Sequence, residues 1–357
     1  MNKGIIKLFG PAGWLAALCL SVSCSKNDGA TNGSAREATN SSAAQTLING
    51  AGSTFDYPAF TKWFEAYAKV NGDVRFNYQS IVSGAGQKLL LNQTVDFGAS
   101  DAPMKDADMA TAPDKILHLP IVVGGEAIAY NLPGNPKVKL DADTVSGIYL
   151  GTITKWNDPN ITALNPDVAL PDLPIVVVHR TDGSGTTFIF TDYLSSVSPI
   201  WASSVGKGTS IKWPVGLGGK GNEGVAGQVK QLVGAIGYVE LAYAKQNRMT
   251  YAEIKNAAGN FVLPELDTIS AAMATAKIPE DYRFSMVNAP GDKAYPIAGA
   301  SWVLVYQHSK KAETGQKLVG FLKWAVTEGQ KLSPALDYAP LPDAVQQREL
   351  SLLETIK

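Results

Sequence analysis

The decapeptide His179-Arg180-Thr181-Asp182-Gly183-Ser184-Gly185-Thr186-Thr187-Phe188 concentrates a guanidinium, hydroxyls and glycines in one short stretch. It follows the apolar β-branched run Ile175 to Val178 and precedes Phe188 to Leu194, which reads as a helix. Ser184, Gly185 and Thr186 therefore sit where a strand hands over to a helix N-terminus. There, unpaired N–H groups and the positive end of the helix dipole favour an anion. Glycine allows close approach to the backbone, and the hydroxyls add donors. Arg180 contributes a planar fork that matches an oxyanion bidentately, and Asp182 is placed to orient it.

The same construction occurs twice upstream. Thr46 to Phe55 runs from a short strand through Gly52, Ser53 and Thr54 toward a helical pattern with Pro58 in its first turn. Val74 to Ser80 alternates as a strand does, then passes through Ser83-Gly84-Ala85-Gly86 into a helix read over 87–92. Each serine or threonine alone is an ordinary N-cap. Three together matter because an α/β sheet places its strand-to-helix turns along one edge, where ligands bind. Asp101 closes the buried-looking strand Val95 to Ser100 at that same edge. An ionised carboxylate only accepts hydrogen bonds, so it repels a bare anion but receives the hydrogen of a protonated oxyanion.

The elements that carry these residues belong to a chain of 357 residues, long enough for a large core. Its net charge is −1, so no basic field recruits nucleic acid and no polybasic patch recruits a membrane. Both cysteines, Cys19 and Cys24, lie near the N-terminus, which leaves the rest without a disulfide or a cysteine metal site. Two lysines followed by an apolar segment to about Leu20 suit a secretory signal. Leu20-Ser21-Val22-Ser23-Cys24 resembles a bacterial lipoprotein cleavage box, making Cys24 the expected lipid attachment point. Residues 25–45, rich in Ser, Asn, Ala, Gly and Thr without apolar periodicity, read as a flexible tether. A lipidated Cys24 would then hold a soluble domain at a membrane.

Longer motifs add a resemblance. Ala51-Gly52-Ser53-Thr54-Phe55, Thr94-Val95-Asp96-Phe97-Gly98-Ala99-Ser100-Asp101-Ala102-Pro103 and Asp182-Gly183-Ser184-Gly185-Thr186 resemble the phosphate-binding proteins of bacterial phosphate ABC transporters (the Pst family). So do Gly147-Ile148-Tyr149-Leu150-Gly151, Lys155-Trp156-Asn157-Asp158, Gly216 to Asn222 and Gly234 to Glu240, in unbroken order over about 48–345. The resemblance implies an α/β, two-lobed type II periplasmic binding protein with two crossover hinge strands. It places the crossovers near 120–123 and 295–298, giving lobe I as 46–122 plus 297–357 and lobe II as 123–296. It implies a phosphate held by Thr54, Phe55 (through its backbone), Ser83, Asp101, Arg180, Ser184, Gly185 and Thr186. It further implies a periplasmic, monomeric binding protein that delivers phosphate to ABC permease subunits, with no cofactor and no catalysis.

Competing chemistries are weaker. Gly216-Leu217-Gly218-Gly219-Lys220-Gly221 matches a dinucleotide fingerprint in letters, but Pro214 is expected to break the strand before it and Asn222-Glu223-Gly224 to delay the helix after it. A nucleophile elbow at Ser184 needs glycine where Asp182 stands, so an exported phosphatase or esterase is disfavoured. No His, Asp or Glu set has metal-ligand spacing. Sulfate and molybdate lack a hydrogen near neutral pH to offer Asp101, which argues against them as ligands. Trp63, Trp156, Trp213 and Trp324 fall at core-like spacing rather than as a stacking platform.

Overall fold

The computed structural model describes residues 45–357. The signal-like segment, Cys24 and all but the last residue of the 25–45 tether lie outside the described residues. Among the described residues no helix is long and apolar enough to cross a membrane.

Eight strands form the body of one mixed sheet: β1 (Thr46–Gly52), β2 (Val74–Ser80), β3 (Phe97–Ser100), β4 (Ile116–Tyr130), β5 (Val176–Arg180), β6 (Leu217–Gly219), β7 (Ala235–Glu240) and β8 (Ala298–Tyr306). Their spatial order is β2-β1-β3-β8-β4-β7-β5-β6, with the short strand Thr250–Tyr251 also on β4. β1 lies parallel to β2 and β3, and β5 parallel to β6 and β7; the central pairings through β8 and β4 are antiparallel. Two parallel halves are thus joined by an antiparallel seam.

That seam is a single strand. All fifteen residues of β4 are buried, as its continuous apolar run requires. Its first part, Ile116 to Gly125, pairs with β8, and its last part, Glu126 to Tyr130, pairs with β7. The chain therefore passes from one half to the other at Gly125–Glu126, and Ile297 returns beside it by accepting from Glu126 N–H at 2.9 Å. Pro120 has no N–H to give the ladder, and the β4–β8 register shifts there, between Ser301 and Trp302. The carbonyl of Ile121, the extra residue, is satisfied by Gln330 Nε2 at 2.8 Å.

Helices flank each half. α1 (Tyr57–Ala68) carries Pro58 in its first turn and buries Ala59, Phe60, Trp63 and Tyr67 at helical spacing. Phe60 meets Phe97 edge-on and Tyr78 at 4.7 Å, and the Trp63 indole donates to Gly329 O. α2 (Ser83–Leu91) starts at Ser83, four residues earlier than the expected helix. Val82 makes this possible by taking φ 98°, a backbone region nearly closed to a β-branched residue, at a cost of about 1–3 kcal/mol. α3 (Gly185–Val197) follows β5, and α4 (Gly221–Gln231) follows β6 with a single intervening residue. Here the sequence expectation fails: Pro214 lies upstream of β6, and neither strand nor helix is interrupted. α5 (Ala312–Ala325) packs Leu318, Phe321, Leu322 and Ala325 inward in the half that carries β1. A strap around 282–285 touches both halves. The Trp302 indole donates to Tyr282 O at 2.7 Å, and Ser285 Oγ donates to Asp192 Oδ2 at 2.7 Å.

Candidate functional site

The N-termini of α2 and α3 face each other across the seam. Gly84 N–H donates to Gly183 O at 2.8 Å, and Gly185 N–H donates to Ser83 Oγ at 3.1 Å, both from one half to the other. Asp101 lies between them. Its Oδ1 accepts from Ser83 Oγ at 3.3 Å and its Oδ2 from Thr186 Oγ1 at 3.2 Å. Gly185 is required here, because a Cβ would stand 2.5 Å from the Asp101 carboxyl. Burial pushes the Asp101 carboxyl upward, while the Ser53, Thr186 and Ser83 hydroxyls and the Arg180 charge pull against it. The result is a dry carboxyl group with a strong appetite for a hydrogen.

Arg180 ends β5 with its side chain 3 % exposed. Its Nε donates to Asp182 Oδ1 at 3.0 Å and its Nη2 to Asp182 Oδ2. Burial works against the cation, but the Asp182 carboxylate outweighs it and holds the guanidinium above its ordinary value. The third corner of the fork, Nη1, is buried with no partner among the described residues. An unmet charged donor in a dry site is costly, so this corner is where an acceptor belongs.

Ser184 caps α3 by accepting from Thr187 N–H at 3.1 Å, which leaves its hydroxyl hydrogen to donate elsewhere. Thr54 Oγ1 accepts from Asn222 Nδ2 at 2.9 Å, and the Thr54 carbonyl accepts from Tyr243 OH at 2.6 Å. The Phe55 N–H, expected to face a ligand, donates to Ser53 Oγ at 2.9 Å, and the Phe55 ring is fully buried. The structure thus joins Ser83, Asp101, Gly185 and Thr186 directly, sets the Arg180–Asp182 pair within electrostatic reach of Asp101, and brings Thr54 in through Asn222.

Asn222 was missed as a site residue. Fully buried at the start of α4, it donates to Thr54 Oγ1 and Thr186 Oγ1 and accepts from Glu240 N–H at 3.1 Å. Its motif, Gly216 to Asn222, had been seen, but its partners lie far away in sequence. The N-terminus of α4 is also unsuited to a pyrophosphate, because the Gly221 N–H is taken by Asp182 Oδ1 at 2.9 Å. His179 stacks on Trp213, ring centres 4.7 Å apart, and its Nδ1 engages the Arg180 carbonyl rather than Ser184. Trp63 and Trp156 are fully buried, whereas Trp213 and Trp324 are only partly buried against the core. Among the described residues no group of three or more His, Cys, Asp or Glu is placed to hold a metal.

A two-half α/β sheet with helix N-termini meeting over its seam defines a substrate-binding protein of the PBP superfamily, and the PBP superfamily domain matches residues 36–328. The chain is 45% identical over 309 residues to the phosphate-binding protein PstS of Pasteurella multocida, covering 85% of this chain and 89% of that one. It is 46% identical over 299 residues to PstS of Haemophilus influenzae, covering 83% and 89%. This chain belongs to the PstS family of phosphate-binding proteins. Its fold is the two-lobed type II periplasmic binding protein fold. It matches a high-affinity periplasmic phosphate-binding protein (PfluDING) bound with phosphate at a TM-score of 0.71, with 21% identity, over 86% of this chain and 93% of that one. The relatives are named as binding proteins rather than enzymes.

Proposed function

We propose that this protein captures inorganic phosphate outside the cytoplasmic membrane and delivers it to the permease of an ABC importer. The observation that carries the reading is the opposition of two groups from different halves of the fold. Arg180 Nη1 is a buried donor without a partner among the described residues, and Asp101 is a buried acceptor within electrostatic reach of Arg180. A tetrahedral oxyanion bearing one hydrogen satisfies both.

Phosphate leaves water only where nearly every oxygen lone pair meets a donor. The donors are the hydroxyls of Thr54, Ser83, Ser184 and Thr186, main-chain N–H groups at Phe55 and Gly185, and the Arg180 fork held by Asp182. The N–H of Phe55 and of Gly185 already donate to Ser53 and Ser83, and the hydroxyls of Ser83 and Thr186 to Asp101. Those four donors reach a ligand only by turning from their present partners. Asp101 accepts the hydrogen of HPO₄²⁻ or H₂PO₄⁻, whereas sulfate brings no hydrogen and meets an uncompensated carboxylate. Micromolar capture requires about −8 kcal/mol, within reach of a set of charge-assisted bonds net of desolvation.

Lobe I is taken as 46–122 plus 297–357 and lobe II as 123–296, with ligand bridging them and stabilising the closed arrangement. The protein acts as a monomer held to the membrane only through a lipid on Cys24. A titration of phosphate against intrinsic tryptophan fluorescence, with sulfate as control, tests the function. Trp213 reports on the site because it stacks on His179, the neighbour of Arg180. Saturable quenching or enhancement by phosphate alone is expected, and no response to phosphate refutes the reading.

A further inference from the structure

Asp56 occupies the N-cap position of α1 yet makes no side-chain cap bond, forgoing the stabilisation that aspartate usually gives a helix start. Its carboxyl turns instead toward Ser301, which stands at the register shift of β8. Ser301 Oγ lies 2.8 Å from Asp56 Oδ2 and 3.5 Å from Asp101 Oδ1. Asp56 and Asp101 are both buried, 0 % and 1 % exposed, and share this one hydroxyl.

One hydroxyl has one hydrogen, so it cannot donate to two carboxylates at once. Two ionised carboxylates here would also repel in a dry setting, and the Arg180 charge favours ionisation of Asp101 while burial and the Asp101 charge oppose that of Asp56. The remaining Asp56 oxygen, Oδ1, has no partner among the described residues. That is tolerable for the carbonyl oxygen of a neutral acid and costly for a charged one.

We propose that Asp56 is a positioning residue for phosphate capture: as a neutral acid it donates through Ser301 to Asp101 and so fixes Asp101 as the acceptor of the ligand's hydrogen. The chain runs from Asp56 Oδ2–H to Ser301 Oγ, and from Ser301 Oγ–H to Asp101 Oδ1. Burial first, then the Asp101 charge, holds the Asp56 carboxyl well above its ordinary range. The other titratable groups facing Asp56 are Tyr78 on β2, Tyr243 and Tyr338. Burial holds all three phenols protonated; the buried acids Glu126 and Glu240 also act on Asp101, but Asp56 is the one that shares Ser301 with it. When Asp56 ionises, Ser301 turns its hydrogen to Asp56, Asp101 loses a donor and gains a neighbouring charge, and anion affinity falls.

The inference rests on the phosphate reading, and calorimetry of phosphate binding from about pH 6 to 10 separates the two, the ligand's own ionisation near 7 being common to every variant. Asp56→Asn donates permanently to Ser301 through its amide. It is expected to bind within about threefold of the wild type at neutral pH and to lose the alkaline decline of the wild type. Ser301→Ala is expected to weaken binding about tenfold and to render Asp56→Asn silent in the double variant. An alkaline decline unchanged in Asp56→Asn, or additive effects of the two substitutions, overturns the inference while the phosphate reading stands. A wild type that does not bind phosphate overturns both. An infrared difference spectrum of wild type minus Asp56→Asn needs no ligand and cancels the other buried acids such as Glu126: a protonated-carboxyl stretch is expected in the difference, and its absence there refutes a neutral Asp56.

Discussion

Gly84 donates its main-chain N–H to the carbonyl of Gly183 at 2.8 Å, so that two helix N-termini from opposite halves of the protein are locked backbone to backbone. A main-chain bond fixes this approach more tightly than side chains would. A Cβ on Gly84 would stand 3.2 Å from that carbonyl, closer than most such contacts allow. The cluster is therefore built from both halves, and its affinity should be sensitive to small obstacles in this seam.

Gly185→Ala tests that sensitivity. Its methyl would overlap the Asp101 carboxyl at 2.5 Å and force the two halves apart or Asp101 aside. Phosphate affinity is expected to fall by about a hundredfold or more, roughly 3 kcal/mol, while circular dichroism stays native. Wild-type affinity in calorimetry contradicts the geometry.

Removing the guanidinium leaves the Asp182 carboxylate, 9 % exposed, without its partner and takes a positive charge from the site. Arg180→Ala is expected to weaken phosphate binding well beyond tenfold, with Arg180→Lys recovering only part because a point charge cannot serve Asp182 and the ligand as a fork does. Equal affinities in a titration of all three proteins would remove Arg180 from the site.

Selectivity tests Asp101. Asp101→Asn offers a donor amide in place of an acceptor-only carboxylate, so a hydrogen-free anion is no longer penalised. The ratio of phosphate to sulfate affinity is expected to shrink at least tenfold, since one misplaced polar contact in a dry site is worth about 1–3 kcal/mol. Unchanged ratios in a competition assay contradict the acceptor role.

Stability should carry its own pH signature at the seam. Glu126 is fully buried, neither carboxyl oxygen has a partner among the described residues, and burial, then Asp101 and Glu240, push its carboxyl well above the usual range. A raised carboxyl pKa stabilises the fold fully below the unfolded value of about 4.3, and this contribution is lost as pH rises through the folded value. Glu126→Val removes that loss and suits an all-buried strand. It is expected to stabilise by about 1–3 kcal/mol at neutral pH and more in alkali, read by thermal melts. A less stable variant, or a difference that does not change with pH, refutes a neutral Glu126.

Membrane attachment is tested outside the folded domain. Cys24→Ser is expected to move the protein from the membrane pellet to the soluble extracytoplasmic fraction, and continued pelleting would require another anchor.

What was legible in the sequence was local chemistry. Ser184, Gly185 and Thr186 announce a helix N-terminus because capping and glycine preference act within a few residues, and α3 begins at Gly185. β4 was readable as a buried strand because its run is apolar on both faces, but the chain crosses at Gly125–Glu126 rather than at the expected 120–123. Asn222 was not, since its hydroxyl partner Thr54 lies 168 residues away. Asp56 carries no ligand signal in its own neighbourhood, and only the shifted register at Ser301 shows the partner it serves. The strand and helix around Gly219 were misjudged because Pro214 and a run of glycines suggest a loop, while pairing of β6 with β5 supplies the order that local propensity withholds.

The most direct measurement is a crystal structure of the protein grown with phosphate. The account predicts density between Arg180 Nη1 and Asp101, with a ligand oxygen about 2.5–2.7 Å from an Asp101 oxygen, the spacing of an O–H donor to a carboxylate. An empty crevice, or an Asp101 carboxyl turned away from bound phosphate, would contradict it.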